Sequence, residues 1–174
     1  MHVPYTAEPR PDTGVSNAQL AIWLFLASEL MLFGSLFSSY ALLRTGAETW
    51  PDQSALLNVP LGAVNTLLLL LASVAIARGR LTTTLILGLA FLAIKSYEYW
   101  DKLAAGLTPA TSNFLGLYFV TTGLHAVHLL GGLGAVVWLL GPGRSLRHRL
   151  PVTVLYWHFV DVIWIVIFVL FYLL

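Results

Sequence analysis

The sequence contains no cysteine. That absence excludes disulfides, zinc–thiolate sites, iron–sulfur clusters and thiolate-bridged copper. Charge is also scarce. Asp, Glu, Lys and Arg make up 10% of the 174 residues, where a soluble domain carries about 25%. The formal net charge is +1 and the basic residues are dispersed, which argues against a nucleic-acid partner. The N-terminal stretch has no basic start, short apolar core and small-residue cleavage site of a secretory signal, so insertion is expected through the first helix itself. There is no internal repeat and no low-complexity run. What is abundant is hydrocarbon: 58% of the residues are apolar, the composition of an integral membrane protein.

A membrane-spanning helix needs about 20 mostly apolar residues. Five segments meet this: Gln19–Leu43, Leu56–Ala77, Leu81–Trp100, Asn113–Leu140 and Leu150–Leu174. The expected fold is an all-α bundle of five transmembrane helices over 19–174, preceded by a polar segment at 1–18. Short connectors carry turn residues: Trp50-Pro51-Asp52, Arg78-Gly79-Arg80, Pro109 and Gly141-Pro142-Gly143. Pro60 falls in the first turns of the second helix, where it is tolerated. The N-terminal segment and the second and fourth loops hold Arg10, Arg78, Arg80, Arg144, Arg147 and Arg149. The other side holds Arg44 and Lys102, with Lys95 at the end of the third helix. The positive-inside rule then predicts a cytoplasmic N-terminus and an outside C-terminus.

Against this background, a few ionisable residues stand out. An Asp at a helix centre costs roughly 2.5–3.5 kcal/mol on insertion scales, so such groups need a partner, a water cavity or another subunit. At 1.5 Å rise per residue, Glu29 lies about 15 Å from the cytoplasmic end of its helix, and Asn65 and His128 about 18 Å. His125 lies at about 22 Å, His158 at about 12 Å and Asp161 at about 17 Å. Four helices thus place polar groups in one slab. His125 and His128, and likewise His158 and Asp161, stand three residues apart and share a helix face. Thr121, Thr122 and Gly132 continue the first stripe. Lys95 and Glu98 have the same spacing and are expected to pair. Gly34, Ser38, Gly123, Gly131 and Gly134 are small enough to let helices approach closely.

Three readings compete for this layer. HxxH and HxxD motifs with Glu29 contain ligands enough for a metal centre, but the paired Glu-x-x-His signature of di-iron bundles is missing. A proton relay through Glu29, His128 and Asp161 is chemically feasible, but no transporter repeat accompanies it. The third reading is structural: interhelical hydrogen bonds and ion pairs that fix the packing. The structural reading is the favoured one, with no metal ligand and no catalytic residue assigned.

At these residues the chain resembles subunit III of the heme–copper terminal oxidases, in the shorter five-helix form. The carriers are Phe25-Leu26-Ala27-Ser28-Glu29-Leu30-Met31-Leu32-Phe33, Trp50-Pro51, Asn65-Thr66-Leu67-Leu68-Leu69 and Ile94-Lys95-Ser96-Tyr97-Glu98-Tyr99. They continue with Tyr118-Phe119-Val120-Thr121-Thr122-Gly123-Leu124-His125-Ala126-Val127-His128 and with Tyr156-Trp157-His158-Phe159-Val160-Asp161-Val162-Ile163-Trp164. The resemblance implies a companion of the catalytic subunit I, in a complex with subunit II and further subunits, in a prokaryotic cytoplasmic membrane. It implies no cofactor in this chain, with heme and copper in the partner subunits and phospholipid as a ligand. It also implies support of proton uptake. Glu29 would be the family's first-helix carboxylate, and Glu98, His125, His128, His158 and Asp161 its other in-membrane polar positions. Ala126 and Asp52 depart from the commoner Gly and Pro, and the two N-terminal helices of the seven-helix form have no counterpart. A related accessory protein of nitric-oxide reductases shares the HxxH and HxxD motifs, and quinol oxidases also carry five-helix subunits III. The different-class alternative is a stand-alone membrane metalloenzyme.

Aromatic residues complete the reading. Trp50 and Trp100 are expected as interface anchors, and Trp157 and Trp164 as packing residues on one face. Phe25, Phe33, Phe37 and Tyr40 are expected to face lipid or subunit I. Arg44, Arg78, Arg80 and Arg144 are candidate contacts for phospholipid headgroups.

Overall fold

The computed structural model describes residues 6, 8–141 and 146–174. Among them every regular element is helical. Helix α1 spans Asn17–Gly46, a single turn α2 Gln53–Leu56, α3 Val59–Ala77, α4 Leu81–Ala104, α5 Asn113–Leu140 and α6 Leu146–Phe168. A π-helical turn, Val169–Leu173, ends the chain. Five of these helices are long and apolar enough to cross a membrane, as expected.

The starts follow local chemistry. Ser16 and Gln19 form a reciprocal capping box at α1. Asn58 accepts from the Leu61 N–H at 3.0 Å to cap α3, with Pro60 in its first turn. Ser112 does the same for α5 through the Leu115 N–H at 3.2 Å. Gly79, at φ +71°, turns the chain sharply from α3 into α4. Several boundaries differ from the expected ones, among them the starts of α1 at Asn17 and of α3 at Val59. α1 runs on to Gly46 and α4 to Ala104, while α6 begins at Leu146 and carries Pro151 inside it. The α4 difference has the largest consequence, because it turns Lys102 from a loop residue into a helical one.

α3, α4, α5 and α6 enclose the core, and α1 lies along α5 and α6. Trp157, Trp164, Phe33, Phe91, Phe114 and Phe171 are buried in that core. Lipid supplies no hydrophobic force between apolar helices, so close packing must hold them together. The tight approaches are made by glycines other than most of those expected. A Cβ on Gly62 would stand 2.8 Å from the Tyr172 ring, and one on Gly88 2.7 Å from Leu133 Cδ2. Gly34 and Gly134 face open space instead. Packing partners, not spacing along one helix, decide which small residue is used.

The aromatic stripe of α1 also divides against expectation. Phe25 is exposed, but Phe33 and Tyr40 are buried. Phe33 meets the His128 ring at 5.2 Å, and the Tyr40 hydroxyl donates to the Leu170 carbonyl at 2.7 Å. Trp50 packs edge-on against Tyr40 and Phe114, while Trp100 is exposed. Trp157 and Trp164 pack in the core, as expected.

Candidate functional site

The strongest polar feature lies where α4, α5 and the π turn meet. Lys95, Glu98 and Lys102 fall at i, i+3 and i+7 on α4, one stripe of the helix. All three are at most 5% exposed. The Lys95 ammonium has three donors and uses each at 2.9 Å: on Glu98 Oε2, on the Tyr118 hydroxyl and on the Tyr172 hydroxyl. Tyr172 donates in turn to Glu98 Oε1 at 2.8 Å, and Tyr118 to the same oxygen at 3.0 Å. Lys102 stands 3.5 Å from Glu98 and donates to the Leu56 carbonyl at 3.0 Å. The cluster therefore ties α2, α4, α5 and the C-terminal turn into one knot. Its excess cation is shared among aromatic faces, with Lys95 5.3 Å from the Trp164 ring centre and 5.4 Å from that of Tyr99.

The expected Lys95–Glu98 pair is present. Sequence reasoning missed three members. Lys102 was hidden by the short placement of the third helix, although its i+4 spacing from Glu98 was a usable signal. Tyr118 and Tyr172 carried no such signal, because only the register between helices brings them in.

A second pair bridges α1 and α5. Glu29 Oε2 and His128 Nε2 are 2.8 Å apart, and both side chains are 12–15% exposed. His128 Nδ1 lies 2.9 Å from the Leu124 carbonyl, which can only accept, so Nδ1 carries a proton. The contact between Nε2 and Glu29 ties α1 to α5. Tyr156 of α6 donates to the His128 carbonyl at 2.8 Å, which fixes this turn of α5.

The remaining candidates separate. His158 is not buried, as expected, but sits exposed on the outer face of α6, where its Nδ1 meets Ser73 Oγ of α3 at 2.6 Å. Its neighbour Asp161 turns inward and is 5% exposed, with Ser73 beside it. The two therefore share Ser73 of α3 as a neighbour, although one is exposed and the other buried. His125 faces the core, where its ring lies 5.1 Å from Trp164 and 5.8 Å from Phe91. Asn65 is completely buried. Thr122 bonds its own Tyr118 carbonyl at 2.5 Å and also meets the Tyr99 hydroxyl. Among the described residues, no group of three His, Cys, Asp or Glu side chains converges as metal ligands would.

Of the four arginines, Arg44 donates to the Tyr40 hydroxyl at 2.9 Å and to the Leu174 carbonyl oxygen. Arg78 and Arg80 are exposed at the α3–α4 turn, and Arg80 lines a depression of about 440 Å³ with Thr82, Thr83 and Leu140. Arg144 lies outside the described residues.

The model for "Cytochrome c oxidase subunit III" matches residues 12–174. The chain belongs to that family. Subunit 3 of the cytochrome bo(3) ubiquinol oxidase of Pseudomonas putida is 32% identical, over 89% of this chain and 84% of the relative. Cytochrome c oxidase subunit 3 of Corynebacterium diphtheriae is 36% identical, over 86% and 84%. A heme-copper oxidase subunit I+III of Aeropyrum pernix is 32% identical over 88% of this chain, which spans 22% of that longer protein. The chain is thus a multi-pass membrane protein of the heme–copper oxidase subunit III family, whose members work as parts of an enzyme complex.

Proposed function

We propose that the chain is the non-redox subunit III of a proton-translocating heme–copper oxygen reductase of the cytochrome c oxidase type. The reading rests on the family match from residue 12 to 174. Its geometry is that of a scaffold. Lys95, Glu98 and Lys102 are paired and hydrogen-bonded within the chain, and Glu29 meets His128. Buried ions tied in this way fix helix registers and are poorly placed to react.

Heme and copper belong, on this reading, to partner subunits. Subunit I is the direct neighbour, which the fused relative from Aeropyrum pernix supports. Glu29 and His128 occupy the partly exposed seam of α1 and α5, where the pair would support proton uptake by that neighbour. The cytochrome c assignment leans on the 36% identity to the Corynebacterium diphtheriae protein. On this reading the membrane is the cytoplasmic membrane of a prokaryote, and the distribution of basic residues supports a cytoplasmic N-terminus. Phospholipid headgroups would meet Arg80 in its surface depression.

The test is purification from native membranes through an affinity tag on this chain. A heme-bearing partner that oxidises reduced cytochrome c is expected. Oxidation of quinol alone would move the chain to the quinol oxidases, which the Pseudomonas putida relative represents. A nitric-oxide-reducing partner, or an isolated chain with stoichiometric iron or zinc, would overturn the assignment. Glu29→Ala should lower assembly or shorten sustained turnover, and normal values of both would remove the role given to this pair.

A further inference from the structure

Besides the Trp157 indole and the Asp161 carboxylate, three buried side chains of the described residues have polar atoms with no hydrogen-bond partner among the protein's own groups. They are both amide atoms of Asn65, the Thr121 hydroxyl and both ring nitrogens of His125. None is more than 1% exposed. An orphaned amide, hydroxyl or imidazole in an apolar interior costs about 1–3 kcal/mol, more than a bundle would keep three times over without return.

The three groups converge. Thr121 and His125 are one turn apart on the inward stripe of α5. His125 packs on Trp164 and Phe91, which themselves meet edge-to-face at 4.7 Å. The antiparallel register of α3 and α4 is marked by the Thr84 hydroxyl on the Ala72 carbonyl. Two turns along each helix from that contact, Asn65 stands level with Phe91. Independently, the Trp164 indole donates to Thr66 at 3.0 Å, which sets α6 at the same level. α3, α4, α5 and α6 therefore bring Asn65 and His125 to one height in the core, with Thr121 one turn of α5 away. Tyr118 is the next inward residue of α5, so this height adjoins the Lys95–Glu98 cluster.

We propose that Asn65, Thr121 and His125 form a buried hydration site, in which ordered water supplies the hydrogen bonds the helices do not. The chemistry suits water and little else. The groups are neutral or able to be so, each can both donate and accept, and together they offer the two to four partners that an internal water takes. An anion would find no donor on Lys95, whose three are already used. The site is independent of the oxidase assignment. It would fix the register of α3 against α5 through molecules belonging to neither, and extend the polar core inward from the ionic cluster.

The sign of a substitution tests it. In the assembly purified through a tag on this chain, Thr121→Val removes one hydroxyl at nearly constant volume. If water bridges the three groups, the variant strands that water and the melting temperature of the chain falls by a few degrees, while Thr121→Ser restores most of it. If the hydroxyl is a bare orphan, Val relieves it and the melting temperature rises or holds, which overturns the proposal. A single-particle map of the same assembly at about 2 Å is the second arm, with water sites resolved at this scale. Water-sized density within hydrogen-bond reach of Asn65 and Thr121 supports the site. Direct contact of Asn65 with His125 or Thr121, with no density between, refutes it.

Discussion

Glu98 is the only carboxylate in the ion cluster, and its removal has a cost that the geometry sets. In Glu98→Ala, Lys95 and Lys102 lose their counter-charge, at 5% exposure each. Deleting one partner of a buried ion pair typically costs about 3–5 kcal/mol. Two features favour the lower end. Lys95 retains both tyrosine hydroxyls, and Lys102 retains the Leu56 carbonyl. With about 3 kcal/mol lost and roughly 2–4 °C per kcal/mol for a chain of this size, the melting temperature should fall by about 6–12 °C. The triple variant Lys95→Met, Glu98→Leu, Lys102→Met removes every charge together. Replacement of a complete ionic set by apolar residues of similar volume is often neutral or stabilising, so this variant should recover most of the loss. The two hydroxyls left behind stand 3.2 Å apart and can satisfy each other. Thermal dissociation of the chain from its purified assembly, followed on native gels, measures all three proteins. The reasoning fails if Glu98→Ala melts within about 2 °C of the parent, or if the triple variant is no more stable than the single one.

Other consequences can be checked in the same preparation. Gly62→Ala should destabilise more than Gly88→Ala, within a range of about 1–3 kcal/mol for overpacking. The reason is that Gly62 meets the rigid rings of Tyr172 and Phe168, whereas Gly88 first meets a leucine methyl. Equal melting points would show that the rings move aside. Tyr172→Phe deletes a donor to Glu98 and an acceptor for Lys95, for an expected loss of about 1.5–3 kcal/mol. Ser73→Ala removes one partner of His158 and should cost only about 0.6 kcal/mol, the usual worth of an interhelical hydrogen bond in a membrane. Because the chain has no cysteine, single cysteines at Gly79 and Gly106 can be labelled without background. With a cytoplasmic N-terminus, an impermeant reagent added outside intact cells should label position 106 and spare position 79.

Much of the architecture was legible before any coordinates. Five apolar runs of spanning length can become little else in a bilayer, since every backbone group must be satisfied within its own segment. Glu29, Glu98 and the HxxH and HxxD helices were equally visible, because charge in hydrocarbon is rare and must be explained. The Lys95–Glu98 pair followed from spacing alone, since both sit on one helix. Failures occurred wherever a second helix entered. His158 and Asp161 share a stripe and both meet Ser73 of α3, yet His158 is exposed and Asp161 is buried, a difference that spacing along α6 does not carry. Phe33 and Tyr40 looked lipid-facing until α5, α6 and the C-terminal turn were seen to cover them.

Composition and helical period, then, established the membrane solvent, the five spans and the residues that could not lie in it unattended. These are properties of one segment at a time, and a segment carries them wherever it is placed. Which polar group meets which was decided only by the tertiary structure. Tyr172 reaches Glu98 across 74 positions of chain, and His128 reaches Glu29 across 99. Such meetings depend on the height and rotation of one helix against another, which are set by ring-on-glycine packing and not by any pattern within a single helix.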